Sequence, residues 1–144
     1  MEEIDFCWRL QRAGYQIAAI STSEVLHVGG GTLPQGNPRK TYLNFRNNLI
    51  LLYKNWDPKT KWQTIFGRML LDGIAGLQYT IKGDFNQLLA ILKAHRDFYG
   101  YLICPQKKNN LSPELQKNWI QSYSKSIIWA YFIKGIKSFQ LLKF

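Results

Sequence analysis

The chain has 144 residues, one domain by length, with 46% hydrophobic and 15% aromatic side chains and no internal repeat or low-complexity tract. Its net charge of +10 is uneven: residues 1–38 hold four acids and two bases, residues 39–144 seventeen bases and five acids. No run of about 18 apolar, uncharged residues exists to span a bilayer, residues 1–15 are too charged for a signal peptide, and Cys7 and Cys104 form no metal pattern and suit a reduced, cytoplasmic protein.

In chain order, residues 2–13 read as a helix. Ile4, Cys7 and Trp8 form one apolar set and Phe6, Leu10 and Ala13 another, which predicts cover on more than one side. Gly14 is placed to end it in a left-handed cap. Gln16 to Ser21 and Glu24 to Val28 are short β-rich runs, expected as strands or extended segments. Gly29-Gly30-Gly31 opens a loop that runs through Pro34, Gly36 and Asn37 to Pro38.

Tyr42, Phe45, Leu49, Leu52, Tyr53 and Trp56 then repeat at helical spacing. Asp57-Pro58 predicts a break, with Asp57 as N-cap and Pro58 as first residue of the next helix. That helix carries Ile65, Phe66, Met69, Leu70, Ile74 and Leu77, and Lys82-Gly83 closes it. Asp84 and Gln87 make a capping-box-like start for another, with Phe85, Leu88, Leu89, Leu92 and Tyr99 on its face. Gly100 to Leu111 reads as linker, Ser112-Pro113-Glu114 as the start of a short helix, and residues 126–144 fit strand or helix.

Three segments could carry chemistry. Glu2, Glu3 and Asp5 suit a helix N-terminus, where each acid gains about 0.3–1 kcal/mol from the dipole. They also suit a general base, since a carboxylate backed by a second acid can take a proton from a hydroxyl. His27 ends an extended run before three glycines, whose backbone permits close approach. It is a candidate metal ligand or phosphate contact, though no GxGxxG or GxxxxGK[ST] is present. Asn44, Asn47 and Asn48 make a polar stripe beside Arg46. Asn is a poor helix former, so the stripe is either solvated or bonded to a loop or a sugar.

Taken together, EEIDFCWRLQRAGY, HVGGGTL and PRKTYLNFRNNLILLYKN resemble the C-terminal half of the catalytic domain of inverting family-2 glycosyltransferases, closest to the rhamnosyltransferase-like members. The likeness is specific over residues 1 to about 56 and looser beyond. It implies an α/β GT-A fold of which this chain is a C-terminal fragment, mostly α-helical with a short β segment. Residues 1–38 would be the end of the GT-A domain, 39–100 a helical region and 101–144 a linker and tail. Such enzymes move a sugar from a nucleotide-sugar to the hydroxyl of an acceptor glycan or lipid-linked sugar in cell-envelope synthesis. The motif maps the catalytic base to Glu3, with Glu where the family usually has Asp. By the same likeness Glu2 and Asp5 shape the acceptor site. Trp8, Arg9, Asn44, Arg46 and Asn47 contact substrate, and His27 completes a Mg or Mn site with an Asp-x-Asp motif. No Asp-x-Asp occurs in these residues, and a Met often precedes the acid pair in related sequences. The expectation is therefore a piece of a longer enzyme, with Met1 an internal residue, that does not bind the metal alone.

The basic helices allow another reading. Phe66, Met69, Leu70, Ile74 and Leu77, with Arg68, Lys82, Lys93 and Arg96 about them, suit a helix lying on an anionic membrane, and equally a packed core. A non-catalytic module binding membrane or polyanion is the alternative to the enzyme. Nucleic acid is disfavoured, since no recognised binding motif is present. The expected location is the cytoplasm, peripheral on the inner membrane.

Overall fold

A computed structural model describes residues 2–18, 20, 22–26, 34, 36–104, 127–138 and 141. They form five helices: α1 (Glu2–Arg12), α2 (Pro38–Asn55), α3 (Lys61–Ile81), α4 (Phe85–Ile103) and α5 (Ile127–Phe132). The α2, α3 and α4 helices pack on one another, and α1 leans on α2.

Local sequence explains most helix ends. Asn37 accepts from Arg39 N at 2.8 Å and Pro38 takes the first helical position, so α2 starts where its missing N–H costs nothing. Gly14 (φ 87°) and Gly83 (φ 75°) end α1 and α3 in the left-handed region. In each the next residue donates back across the turn, Tyr15 to Leu10 O at 3.0 Å and Asp84 to Tyr79 O at 2.9 Å. Asp84 caps α4 by accepting from Gln87 N. The Gln87 side chain does not reach back to close a capping box; it donates instead to Gly36 O.

Four expectations change. Asp57 caps a separate turn, accepting from Lys59 N at 2.9 Å, and α3 begins at Lys61 rather than Pro58. The helix α4 runs through Gly100 to Ile103, because Tyr101 and Leu102 pack against the core. Of the β-rich runs, residues 16–18, 20 and 24–26 are irregular: no strand occurs among the described residues, so none offers a partner for pairing. And among the described residues α1 is covered on one side only, leaving Ile4 and Phe6 more than half exposed. The ambiguous end is helical over Ile127–Phe132, while the expected helix at Ser112 and the glycine triplet lie outside the described residues.

The core is small: Leu49 of α2, Ile65 of α3 and Phe98 of α4 are buried, with Leu52, Tyr53, Met69 and Leu102 packed about them. Tyr53 is its aromatic hub, with ring centroids 5.8 Å from Trp62, 6.4 Å from Phe98 and 6.2 Å from Tyr101. The α4 face that enters the core is Ala90, Ile91, Ala94 and Phe98, whereas Phe85, Leu89, Leu92 and Tyr99 point outward. The same division runs through α3, with Ile65 inward and Phe66, Leu70, Ile74 and Leu77 outward.

Candidate functional site

The acid segment is fixed to the far end of α2. Asp5 accepts from Asn55 Nδ2 at 2.8 Å and pairs with Arg9 Nε at 3.0 Å, one helical turn on. Asn55 is 3% exposed and also donates to Leu51 O, so its amide is held from both sides. Arg12 donates to Lys54 O at 3.5 Å. Trp8 stands edge-on to Trp56 at 6.0 Å and 82°. A charge-assisted hydrogen bond, a backbone contact and an aromatic pair thus make one joint. Tyr101 belongs to it as well: burial first, then Tyr53 and the Asp5 charge, raise its hydroxyl above the ordinary value of 10.0.

The expected site residues diverge at this joint. Asp5 and Arg9 neutralise each other and anchor the helix, while Glu3 lies on the exposed side of α1. The backbone of Glu2 begins the helix. Asn55, which completes the joint, was missed from sequence, and Trp56 was read only as part of an apolar helix face; the one available signal for Asn55 was its standing four residues after Leu51 on a buried face.

The asparagine stripe lies elsewhere. Asn44 precedes Asn55 by eleven residues, roughly 16 Å along a helix. Asn44 is exposed. Asn47 Oδ1 accepts from Arg46 Nε at 3.0 Å and Nη2 at 2.9 Å. The remaining Arg46 nitrogen, Nη1, donates to the Tyr42 hydroxyl at 3.0 Å, and that hydroxyl donates to Asp97 Oδ2 at 2.7 Å. This chain ties α2 to α4. It holds the Asp97 carboxyl below its ordinary value, chiefly through Tyr42 and then Arg96. Beside it an open groove of about 570 Å³ runs between the starts of α2 and α4, with Arg39, Tyr42 and Lys93 on its walls.

The described structure therefore does not gather the expected residues into one pocket. Glu3, Asp5, Trp8 and Arg9 share α1; Asn44, Arg46 and Asn47 share the middle of α2. His27 lies outside the described residues. Among the described residues no three His, Cys, Asp or Glu side chains converge to hold a metal. No helix of the described residues is long and apolar enough to cross a membrane. No family model matches the chain. No curated protein and no solved structure matches it either.

Proposed function

We propose that this chain is the acceptor-side portion of an inverting glycosyltransferase, working with a nucleotide-binding half that bears an Asp-x-Asp motif. The observation that supports this best is the joint of α1 on α2. It fixes the acid segment by Asp5 and leaves the neighbouring Glu3 on the exposed side. The two motifs of the resemblance that the described residues cover thereby sit on helices that touch.

In this reading Glu3 accepts the proton of an acceptor hydroxyl as that oxygen attacks the anomeric carbon. The bond from that carbon to the nucleotide diphosphate breaks, and the diphosphate leaves with the electron pair. Inversion follows from attack opposite the leaving group. A divalent metal in the nucleotide half would neutralise the diphosphate charge. Asp5 acts through position, since its charge is already met by Arg9 and Asn55.

The test is sugar transfer by a chain that joins these residues to such a nucleotide-binding half. A general base contributes about 10²–10⁴-fold, so Glu3→Gln is expected to lower kcat by at least about a hundredfold at unchanged melting temperature. Unchanged transfer in that variant overturns the base assignment. Absence of any transfer from a folded, nucleotide-binding chain overturns the reading as a whole.

A further inference from the structure

The outer side of α3 is inverted in its chemistry. Its three charged residues all turn toward the neighbouring helices. Asp72 is 1% exposed, Arg68 lies over the Phe45 ring at 5.4 Å, and Lys61 lies over the Tyr53 ring at 4.4 Å. Facing outward are Trp62, Phe66, Leu70, Ile74, Leu77 and Ile81, each more than half exposed, and the other exposed residues of the helix, Gln63, Leu71, Gly73 and Gln78, are also uncharged. The face continues onto α4 through Phe85, Leu92 and Tyr99. The two helices meet there closely: a methyl group on Gly76 would stand 3.1 Å from Leu88 Cδ1, and the Tyr99 hydroxyl donates to Met69 Sδ at 3.5 Å. Apolar patches of this extent on a folded protein mark a surface that something else covers.

Charge identifies what covers it. Among the described residues around the patch, exposed cations outnumber exposed acids: Lys82 at the turn of the hairpin, Lys93 and Arg39 along the groove beside it, and Arg96 within the α4 face, paired with Asp97 yet 73% exposed in its side chain, against Asp84 alone. The nearby acids are engaged elsewhere: Asp72 inward on Arg68 and His95, Asp97 on Tyr42 and Arg96, and Asp84 in its helix cap. A second copy of the chain would bring a surplus of cations to the contact, with Asp84 the one exposed acid there among the described residues. A nucleic acid would set its phosphates against an uncharged helix. An apolar band flanked by long basic side chains matches the boundary between acyl chains and anionic headgroups, where the apolar face sinks and the cations reach out to phosphate.

We infer that the α3–α4 hairpin lies flat on an anionic membrane surface. Its Phe66, Leu70, Ile74 and Leu77 face enters the acyl boundary, and Lys82, Lys93 and Arg96 meet the headgroup phosphates. This inference does not rest on the glycosyltransferase reading.

The test is co-sedimentation of the whole 144-residue chain with vesicles of equal parts phosphatidylcholine and phosphatidylglycerol, and with vesicles of phosphatidylcholine alone. Binding is expected to the first, and weaker binding to the second. Leu70→Ser with Leu77→Ser is expected to weaken binding at least about tenfold, because both side chains face outward and their transfer is lost. Lys82→Gln with Arg96→Gln is expected to weaken it roughly tenfold on the anionic vesicles only. Circular dichroism checks that each variant keeps its helix content. A variant that loses helix is replaced by Leu70→Gln alone, which has higher helix propensity than Ser and still removes outer apolar surface. Absence of binding to anionic vesicles overturns the inference. So does binding that both variants leave intact, or a concentration-dependent dimer that Leu70→Ser with Leu77→Ser dissociates while vesicle binding persists. Tighter binding to RNA or DNA than to anionic vesicles, unaffected by the leucine changes, would favour the polyanion instead.

Discussion

Tyr42 does two jobs with one hydroxyl: it accepts from Arg46 and donates to Asp97. The donated bond is the first cause holding the Asp97 carboxyl below its ordinary 3.8. A carboxyl harder to protonate in the fold than in the unfolded chain stabilises the fold fully above 3.8, and that contribution is lost as pH falls through the lowered value. Tyr42→Phe keeps the ring and removes the bond. Asp97 is then expected to titrate closer to 3.8, with Arg96 still holding it somewhat below. Carboxyl-carbon NMR titration of the two proteins reads this directly. Urea unfolding at neutral and acid pH should show the variant losing less stability on acidification than the parent. An Asp97 titration that does not move would mean that Arg96, rather than Tyr42, governs it. The Asn44–Asn48 stripe was legible as three residues on one helix, but not in its outcome. Arg46 reaches its own neighbour Asn47, a contact within one element that spacing alone does not choose over solvent or a loop.

Between elements, the most consequential polar contact is the buried Asp72 carboxylate. It pairs with Arg68 Nε at 2.7 Å on its own helix and with His95 Nε2 at 3.1 Å on α4. The contact to Arg68 is close but poorly directed for hydrogen bonding, so its energy is that of an ion pair. Breaking a fully enclosed pair costs about 3–5 kcal/mol. Arg68 is 33% exposed and can turn toward water, so Asp72→Ala is expected to cost close to the lower figure, about 3 kcal/mol. The midpoint of urea unfolding measures it. A loss below about 0.5 kcal/mol, the ordinary size of a surface substitution, would show that α3 is held on α4 by apolar contacts alone. Sequence reading located α3 and α4 but put Leu89 with Leu88 on a common face, and left the Phe66, Leu70, Ile74 and Leu77 face open between a membrane and a packed core. With apolar residues nearly all round a helix, periodicity has no polar side to mark what faces out. The orientation is set by Asp72, Arg68 and Lys61, whose charges turn inward against the usual rule.

Across the whole molecule, what was legible is what is local. Gly14, Asn37-Pro38, Gly83 and Asp84 each fix a helix end through residues two to five positions away. What was not legible depends on distant partners. The Gln16–Ser21 and Glu24–Val28 runs have strand composition, yet a strand exists only against another strand. Gly100 reads as a stop, but its cost of about 1 kcal/mol against Ala is offset when Tyr101 and Leu102 reach the core. The joint of α1 on α2 was invisible for the same reason, since Asp5 and Asn55 lie fifty residues apart. That joint also predicts how the protein opens. The helices α2, α3 and α4 share Leu49, Ile65 and Phe98, whereas among the described residues α1 packs chiefly on α2 and leaves Ile4 and Phe6 exposed. Local opening requires only the contacts that the opened part makes. Amide exchange should therefore be slowest around Leu49 and Phe98 and much faster throughout α1. Asn55→Ala removes the buried partner of Asp5, a charge-assisted bond worth about 1.5–3 kcal/mol. Exchange in α1 is then expected to quicken roughly tenfold or more, while protection at Phe98 falls much less, because Asn55 is not one of its neighbours in the core. Equal loss of protection in α1 and at Phe98 would mean that the acid helix and the three-helix unit unfold as one, and that the joint is part of the core rather than a mount for the acid segment.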